Sequence, residues 1–265
     1  MDHWKKLPSN QQLLPLVDNW YQGEIGQRVL QAEQALIKDF LSNAFGYQLL
    51  QLSATSKANL IYESRIQSNV ICHPLSSVPN QDHTIESPAR TVCLFDELPF
   101  AEDSFDAVVL HHAQEFVANP HNVLREVERI VIPNGKIMII GFNPWSLLGL
   151  YSSIAGISKK SMWRNHLLSK QRMVDWLILL GFKVTSSWVT HHRPPIKVAR
   201  IFDNMTINKH PLWRSIPFGG VYCISAVKRV SAVTPQKPSW SKKRAFAGLA
   251  PIKPTTRVLR KNHKD

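Results

Sequence analysis

Two adjacent histidines, His111 and His112, directly follow a short apolar segment, residues 105–110. The ordinary pKa of histidine lies close to neutral pH, so a histidine at the end of a buried strand is a candidate general base. In the alternative, structural interpretation, one imidazole is a polar wall of a pocket and the other packs beneath a helix. Because successive strand residues point to opposite faces of a sheet, we expect no metal site from this pair or from His191 and His192.

The cysteines indicate a reducing environment. Cys72, Cys93 and Cys223 are far apart in the sequence and form no CxxC motif. They are typical of small buried hydrophobic residues, so we expect free thiols.

The sequence begins without the apolar stretch of a signal peptide, and no run approaches the roughly 18 apolar residues of a membrane span. We therefore expect a cytoplasmic protein with no membrane span.

The net charge of +13 lies mainly at one end of the chain. Residues 231–265 contain nine lysines or arginines and one acidic residue, Asp265, so this Pro-containing segment carries +8. Such a tail can hold nucleic acid or another anionic partner through contacts to phosphates, without reading a base sequence. The alternative is a disordered, solvated end that keeps the protein soluble.

The periodicity of apolar residues predicts the elements that position the two histidines. Residues 1–26 read as an irregular N-terminal arm, and a helix is predicted over residues 27–44. Strands are predicted, in sequence order, at residues 47–52, 69–72, 91–95, 105–110 and 136–141. Asn119 and Pro120 open a helix between the last two of these strands. A strand, a helix and a strand joined by short links predict a right-handed parallel crossover.

The second half of the domain is less regular at first. Residues 142–168 are predicted to be an insertion or lid over an acceptor pocket; the alternative is a segment that lies on a membrane surface. Ser169 then caps a helix that Gly181 ends. Strands follow at residues 182–189 and 220–229, the last one antiparallel at the far edge. The whole of residues 27–230 is thus predicted to be one α/β domain, a doubly wound, three-layer, Rossmann-like sheet that is mostly parallel.

Several motifs in the middle of the chain, taken together, resemble one family. They are Asp96-Glu-Leu-Pro-Phe100, Ser104-Phe-Asp106, Glu115-Phe-Val-Ala-Asn-Pro120, Leu124-Arg-Glu-Val-Glu-Arg129 and Pro133-Asn-Gly135. Their order and spacing resemble the type 11 branch of the class I S-adenosylmethionine-dependent methyltransferases. Gly141-Phe-Asn-Pro-Trp145 and Lys253-Pro-Thr-Thr-Arg257 are similar to a small bacterial subgroup of that branch.

The resemblance implies a cofactor site at the carboxyl ends of the parallel strands, where the strand order reverses. Its residues would be Gln51, Ser53, His73, Asp96, Glu97, Leu98 and His111. The sequence departs from the family at three points. The loop after the first strand has no glycine, Cys72-His73-Pro74 supplies no carboxylate after the second, and the usual adenine-contacting aspartate aligns with Leu94.

The resemblance implies a cytoplasmic, monomeric transferase that moves a methyl group from S-adenosylmethionine to an unidentified acceptor. The sulfonium group already activates the methyl group, so the family needs no universal catalytic residue. His111 and His112 are the candidates for a base, and the catalytic residues stay unassigned. The alternative is an inactive, methyltransferase-like binding protein that uses its basic tail to hold an anionic partner such as nucleic acid.

Overall fold

In the computed structural model, the chain divides into two units, Met1–Val230 and Ser231–Asp265. The structure describes residues 10–56, 58–74, 88–146, 149, 167–190 and 220–229, all in the first unit. The predicted insertion at 142–168 lies mostly outside the described residues, and His191, His192 and the tail lie wholly outside them. The described helices are α1 Asn10–Gln22, α2 Glu24–Ser42, α3 Pro120–Ile130 and α4 Lys170–Leu179. The strands are β1 Gln48–Ser53, β2 Ser68–His73, β3 Ala89–Val92, β4 Phe105–His111, β5 Val131–Phe142, β6 Phe182–Thr190 and β7 Val221–Lys228.

The seven strands form one sheet in the order β3-β2-β1-β4-β5-β7-β6. Strands β1 to β5 pair in parallel, and β7 pairs antiparallel with both β5 and β6. The predicted doubly wound, Rossmann-like α/β fold with an antiparallel last strand is confirmed. The predicted position of that strand is wrong, because β7 inserts between β5 and β6 and leaves β6 at the edge. The pairing of β7 with β5 is a long-range contact that no local pattern encodes.

Alternating side chains of the strands build a separate hydrophobic core on each face of the sheet. In β4, Ala107 and Val109 join the core that α1 and α2 cover. Val108 and Leu110 join the core on the opposite face, with α3 and α4. The result is three layers of helices, sheet and helices. Continuing the alternation along β4 directs the next residue, His111, towards α1 and α2.

The two predicted helix starts are confirmed by their capping bonds. The side chain of Asn119 accepts a hydrogen bond from the backbone N–H of His121 at the start of α3. The hydroxyl of Ser169 accepts one from Arg172 at the start of α4. Each bond satisfies a backbone donor that has no partner inside the helix. After α4 the chain reverses at Gly181, whose φ of 84° is readily reached only by glycine.

The N-terminal segment is helical where an irregular arm was predicted. Helix α1 carries Leu13, Leu14 and Val17 on its inner side, and all three are buried. The prediction failed because Pro15 lies inside α1, and proline normally argues against a helix interior. Helices α1 and α2 are separated only by Gly23, the residue that precedes α2.

Two of the three cysteines are bonded to each other, so the prediction of free thiols is wrong for them. Cys72 lies close to Cys93 because β2 and β3 are parallel neighbours. The Cα atoms of the two cysteines are 6.0 Å apart. This separation is ordinary for a disulfide. Sequence distance gave no hint of it, since the two residues are brought together by strand pairing. Cys223 is a free, buried thiol, as predicted.

None of the described helices is both long and apolar enough to cross a lipid bilayer.

We expect Gly26→Ala to lower the free energy of unfolding. A Cβ at residue 26 would lie 2.1 Å from the carbonyl oxygen of Trp20 and 2.7 Å from the Cα of Tyr21, so the backbone of α1 would have to move. Overpacking of this kind costs about 1–3 kcal/mol, which exceeds the gain of up to about 1 kcal/mol from placing alanine in a helix.

Urea unfolding followed by circular dichroism measures this loss. Gly23→Ala is the matched control, because its Cβ would come no closer than 3.3 Å to the same carbonyl oxygen. Equal losses in the two variants would contradict the steric explanation.

Candidate functional site

Polar residues meet at the carboxyl ends of β1 and β4, the point where the strand order reverses. Ser53 and His111 are register partners at the ends of these two strands. The Ser53 hydroxyl lies 3.0 Å from Nδ1 of His111, and Nε2 of His73 lies 3.4 Å from the carbonyl oxygen of Ala54. Three of the predicted site residues, Ser53, His73 and His111, are therefore brought together, and all three are buried.

Gln51 lies next to this group, but its side chain forms hydrogen bonds to the backbone of the segment that follows β1. Its amide Nε2 donates to the carbonyl oxygen of Ala58 at 2.8 Å, and its Oε1 accepts from the N–H of Leu60 at 3.0 Å. The side chain is fully buried. Gln51 thus shapes the segment after the loop through two backbone hydrogen bonds.

Side-chain hydrogen bonds hold the loop after β1, which contains no glycine. The carboxylate of Asp18 on α1 accepts from the hydroxyls of Thr55 and Ser56, both at 2.6 Å, and from the N–H of Ser56 at 3.0 Å. The N–H of Thr55 donates to the Ser53 hydroxyl at 3.3 Å. Hydrogen bonds to a charged acceptor are stronger than those between neutral groups, so Asp18 fastens this loop to α1.

The predicted residues after β3 lie in a tight turn. Leu94 and Glu97 are bridged across it, Asp96 is half-buried and Glu97 is exposed. The side chain of Leu98 is buried in the core on the α3 face, while its N–H donates to Glu126. The described contacts do not join these residues to Ser53 or His111.

Two large side chains, one after β1 and one after β3, are exposed. Leu94, which was predicted to align with the adenine-contacting acid of the family, is 51% exposed. Tyr62, on the chain after β1, is 63% exposed.

His111 and His112 converge on one carboxylate, contrary to the expectation that they point to opposite faces. Nε2 of His111 lies 2.9 Å from Oε2 of Glu33, and Nε2 of His112 lies 2.9 Å from Oε1 of the same residue. The physical reason is the backbone of His112, which has a φ of 56°. This left-handed conformation breaks the strand alternation and turns the second imidazole to the same side as the first.

Two further residues, Tyr21 and Glu115, contact Glu33 and the two histidines. The hydroxyl of Tyr21 on α1 donates to Oε2 of Glu33 at 3.2 Å and lies 3.4 Å from Nε2 of His111. Oε2 of Glu115, in the 3-10 helix Ala113–Glu115, lies 3.2 Å from Nδ1 of His112. The backbone N–H of Phe142 donates to Oε1 of Glu115 at 2.5 Å, and the ring of Phe142 stacks on His112. We call Tyr21, Glu33, His111, His112 and Glu115 the buried cluster.

Burial and mutual attraction set the charges of the cluster. Burial alone would raise the pKa of Glu33, but His112 and His111 lower it to about 2. Burial alone would lower the pKa of His112, but Glu115 and Glu33 raise it to about 9. Burial keeps the pKa of His111 below its ordinary value. Burial also raises the pKa of the Glu115 carboxyl. At neutral pH, Glu33 is therefore ionised and His112 carries the compensating positive charge.

Glu33 was missed in the sequence, although a signal was present. The buried positions of α2 are Gly26, Val29, Glu33, Ile37 and Leu41. An acidic residue in the middle of such an apolar stripe must be paired, since an unpaired buried carboxylate is too costly. Asp18 was missed because it lies in α1, which was predicted to be irregular. Tyr21 was missed for the same reason, since its hydrogen bond to Glu33 depends on the position of α1.

Comparison with known proteins points to one family. The model of a family described as Methyltransferase domain matches residues 64–139. The chain is also similar to the uncharacterized protein YafS of Escherichia coli (strain K12), with 29% identity over 230 residues that cover 86% of this chain and 88% of that protein.

Solved structures agree with this comparison at the level of the fold. A SAM-dependent methyltransferase from Thermotoga maritima is similar with a TM-score of 0.57 and 15% identity, over 80% of this chain and 93% of that one. Geranyl diphosphate methyltransferase in complex with GPP and sinefungin is similar with a TM-score of 0.52 and 13% identity, over 75% of this chain and 77% of that one. At such identities the similarity concerns the fold alone.

We expect the stability of the protein to fall on both sides of a weakly acidic optimum. The pKa of His112 rises from 6.5 to about 9 on folding. Its contribution to the free energy of unfolding is therefore full below pH 6.5 and is lost as the pH rises through 9. The pKa of Glu33 falls from 4.5 to about 2, so its contribution is full above pH 4.5 and is lost as the pH falls towards 2.

Urea unfolding in buffer that contains a chelator, at several pH values between 6.5 and 9, measures the alkaline slope. His112→Gln should flatten this slope. A free energy of unfolding that stays level over this range in the unaltered protein would contradict the charge assignment.

Proposed function

We propose that this chain, which carries a class I methyltransferase domain of the type 11 branch, binds S-adenosylmethionine and transfers its methyl group to an acceptor that is still unidentified. One observation carries the proposal. The strand order reverses between β1 and β4, and the polar ends of these strands, Ser53 and His111, meet at that point. Doubly wound folds bind their ligands at such a switch point.

The residues around the switch point are compatible with an adenosyl group. Asp96 and Glu97 follow β3 and are partly or fully accessible, so either carboxylate can accept hydrogen bonds there. His73 stands where the family has an acid after β2, and an imidazole can also bond a hydroxyl. Leu94 and Tyr62 are exposed, whereas Ser53, His73 and His111 at the switch point are buried, so a ligand has to displace part of the α1 contacts to reach them.

When bound, S-adenosylmethionine supplies a methyl group that its sulfonium has already activated. The chain then has to position the acceptor and exclude water. Both nitrogens of His111 contact protein groups, Ser53 on one side and Glu33 on the other. We therefore assign His111 and His112 to positioning the β1 loop and the polar wall of the site, and not to removing a proton from the acceptor.

Isothermal titration of the full chain with S-adenosylmethionine and with its demethylated product tests the proposal. We expect saturable binding of both compounds. The absence of heat at high micromolar ligand, with the protein shown to be folded by circular dichroism, would overturn the methyltransferase proposal.

A gain-of-function variant sharpens this test. Leu94→Asp places a carboxylate where the family has its adenine-contacting acid, and we expect binding about tenfold tighter, equivalent to about 1.4 kcal/mol. Val92→Asp is the matched control, because Val92 is similarly exposed two residues earlier. Equal affinities for the two variants would contradict the placement of the adenine at Leu94.

A second candidate function rests on the charge of the tail. Residues 231–265 carry +8, so we also propose that they hold an anionic partner such as nucleic acid through phosphate contacts. A variant that ends at Val230 should lose salt-sensitive retention of nucleic acid on a filter and keep its affinity for S-adenosylmethionine. Retention that survives the deletion would refute a role for the tail.

The predicted cytoplasmic location stays a prediction. In the cytoplasm, where thiols are kept reduced, the disulfide between Cys72 and Cys93 would form against the prevailing redox conditions.

A further inference from the structure

Three side chains of the buried cluster present ligand atoms to a common point. Glu33 offers a carboxylate oxygen, and His111 and His112 each offer a ring nitrogen; one such atom from each residue lies within 4.8 Å of the other two. All three side chains are fully buried. Imidazole nitrogens and a carboxylate oxygen are the donors that bind first-row divalent transition metals in proteins.

The outer nitrogens of both imidazoles are already engaged, which leaves the inner ones for the common point. Nδ1 of His111 contacts the Ser53 hydroxyl at 3.0 Å, and Nδ1 of His112 contacts the Glu115 carboxylate at 3.2 Å. Histidine ligands of metals typically bond their second nitrogen to a carboxylate, a carbonyl or a similar group, which fixes the ring orientation. Here both rings have such a partner, and one of the two partners is a carboxylate.

The two distances from Glu33 are close to those of a metal centre. Bond lengths of roughly 2.0–2.2 Å place tetrahedral ligand atoms about 3.3–3.6 Å apart. The two contacts between Glu33 and the imidazoles are 2.9 Å long, so each pair would need to open by only a few tenths of an ångström. The Tyr21 hydroxyl, 3.4 Å from Nε2 of His111, already donates to Oε2 of Glu33 at 3.2 Å and can keep that carboxylate oriented while it binds the ion.

We propose that Glu33, His111 and His112 form a binding site for a divalent transition metal ion, with Zn²⁺ as the ion of first choice. The proposal goes beyond the proposed function, because it requires neither S-adenosylmethionine nor an acceptor. Zn²⁺ accepts mixed nitrogen and oxygen donors and imposes no redox chemistry. Binding replaces the protons that otherwise bridge Glu33 to the two imidazoles, so both rings bind the ion in their neutral form.

The site would fasten the N-terminal helices to the sheet. Glu33 lies on α2 and Tyr21 on α1, whereas His111 and His112 lie at the end of β4. An ion held between them crosslinks elements that are about 80 residues apart in sequence, His111 and Glu33 being separated by 78 positions. Because the ligands are buried, the ion has to enter during folding or through a local opening of α1 and α2.

The test uses the full chain, unfolded in urea with a chelator and refolded with or without Zn²⁺. We expect one equivalent of tightly bound zinc by elemental analysis and a higher Tm in the zinc-loaded protein. Co²⁺ in place of Zn²⁺ should give the visible absorption of a cobalt ion bound by nitrogen and oxygen ligands. A folded protein that keeps less than one equivalent of zinc and shows no rise in Tm would overturn the proposal.

Variants locate the ion. Glu33→Gln keeps the shape of the side chain, and we expect it to weaken Zn²⁺ binding by at least about 100-fold; Glu115→Gln should weaken it about tenfold through the ring of His112. Glu24→Gln is the matched control, since Glu24 is an exposed glutamate at the start of the same helix and pairs with Arg28. Zinc retained equally by Glu33→Gln and Glu24→Gln would place the ion elsewhere and overturn the assignment. The wild-type measurement decides the proposal by itself if a variant fails to fold.

Discussion

The pairing of one buried carboxylate with two imidazoles dictates the local structure at the end of β4. Glu33 has no exposed surface, and a buried carboxylate is stable only with close partners. Both of its oxygens are satisfied at 2.9 Å by consecutive residues, which an extended strand cannot supply on one side. The left-handed conformation of His112 follows from this demand. The cost of that backbone conformation is offset by the contacts that the second imidazole makes.

The same pairing decides how the N-terminal helices dock. Tyr21 and Asp18 lie on α1, and they bind Glu33 and the β1 loop respectively. This chain orders the loop through the hydroxyls of Thr55 and Ser56, which donate to Asp18. A ligand at the switch point therefore meets a loop whose shape depends on α1, and the two must be considered together.

The sequence predicted those elements whose signals are local. The strand at 105–110, the cap at Asn119 and the cap at Ser169 were found because alternation and capping involve residues only a few positions apart. The position of β7, the bond between Cys72 and Cys93 and the pairing of Glu33 were not found, since each depends on contacts between distant parts of the chain. The candidate site divides in the same way. Ser53, His73 and His111 were identified from strand ends, whereas Asp18, Glu33 and the conformation of His112 required the three-dimensional structure.

A chain of hydrogen bonds connects the buried cluster to the β1 loop. The N–H of Thr55 donates to the Ser53 hydroxyl, which contacts Nδ1 of His111, and Nε2 of His111 contacts Glu33. With a proton on Nε2, Nδ1 accepts, and the Ser53 hydroxyl must donate to it. A proposed ion on Nε2 would leave the proton on Nδ1, which would donate to Ser53 and release the Ser53 O–H for an acceptor in the loop. Occupancy of the cluster and the hydrogen-bonding capacity of the loop would then be coupled, and by reciprocity a ligand that prefers one orientation of Ser53 would shift the affinity of the cluster for its ion.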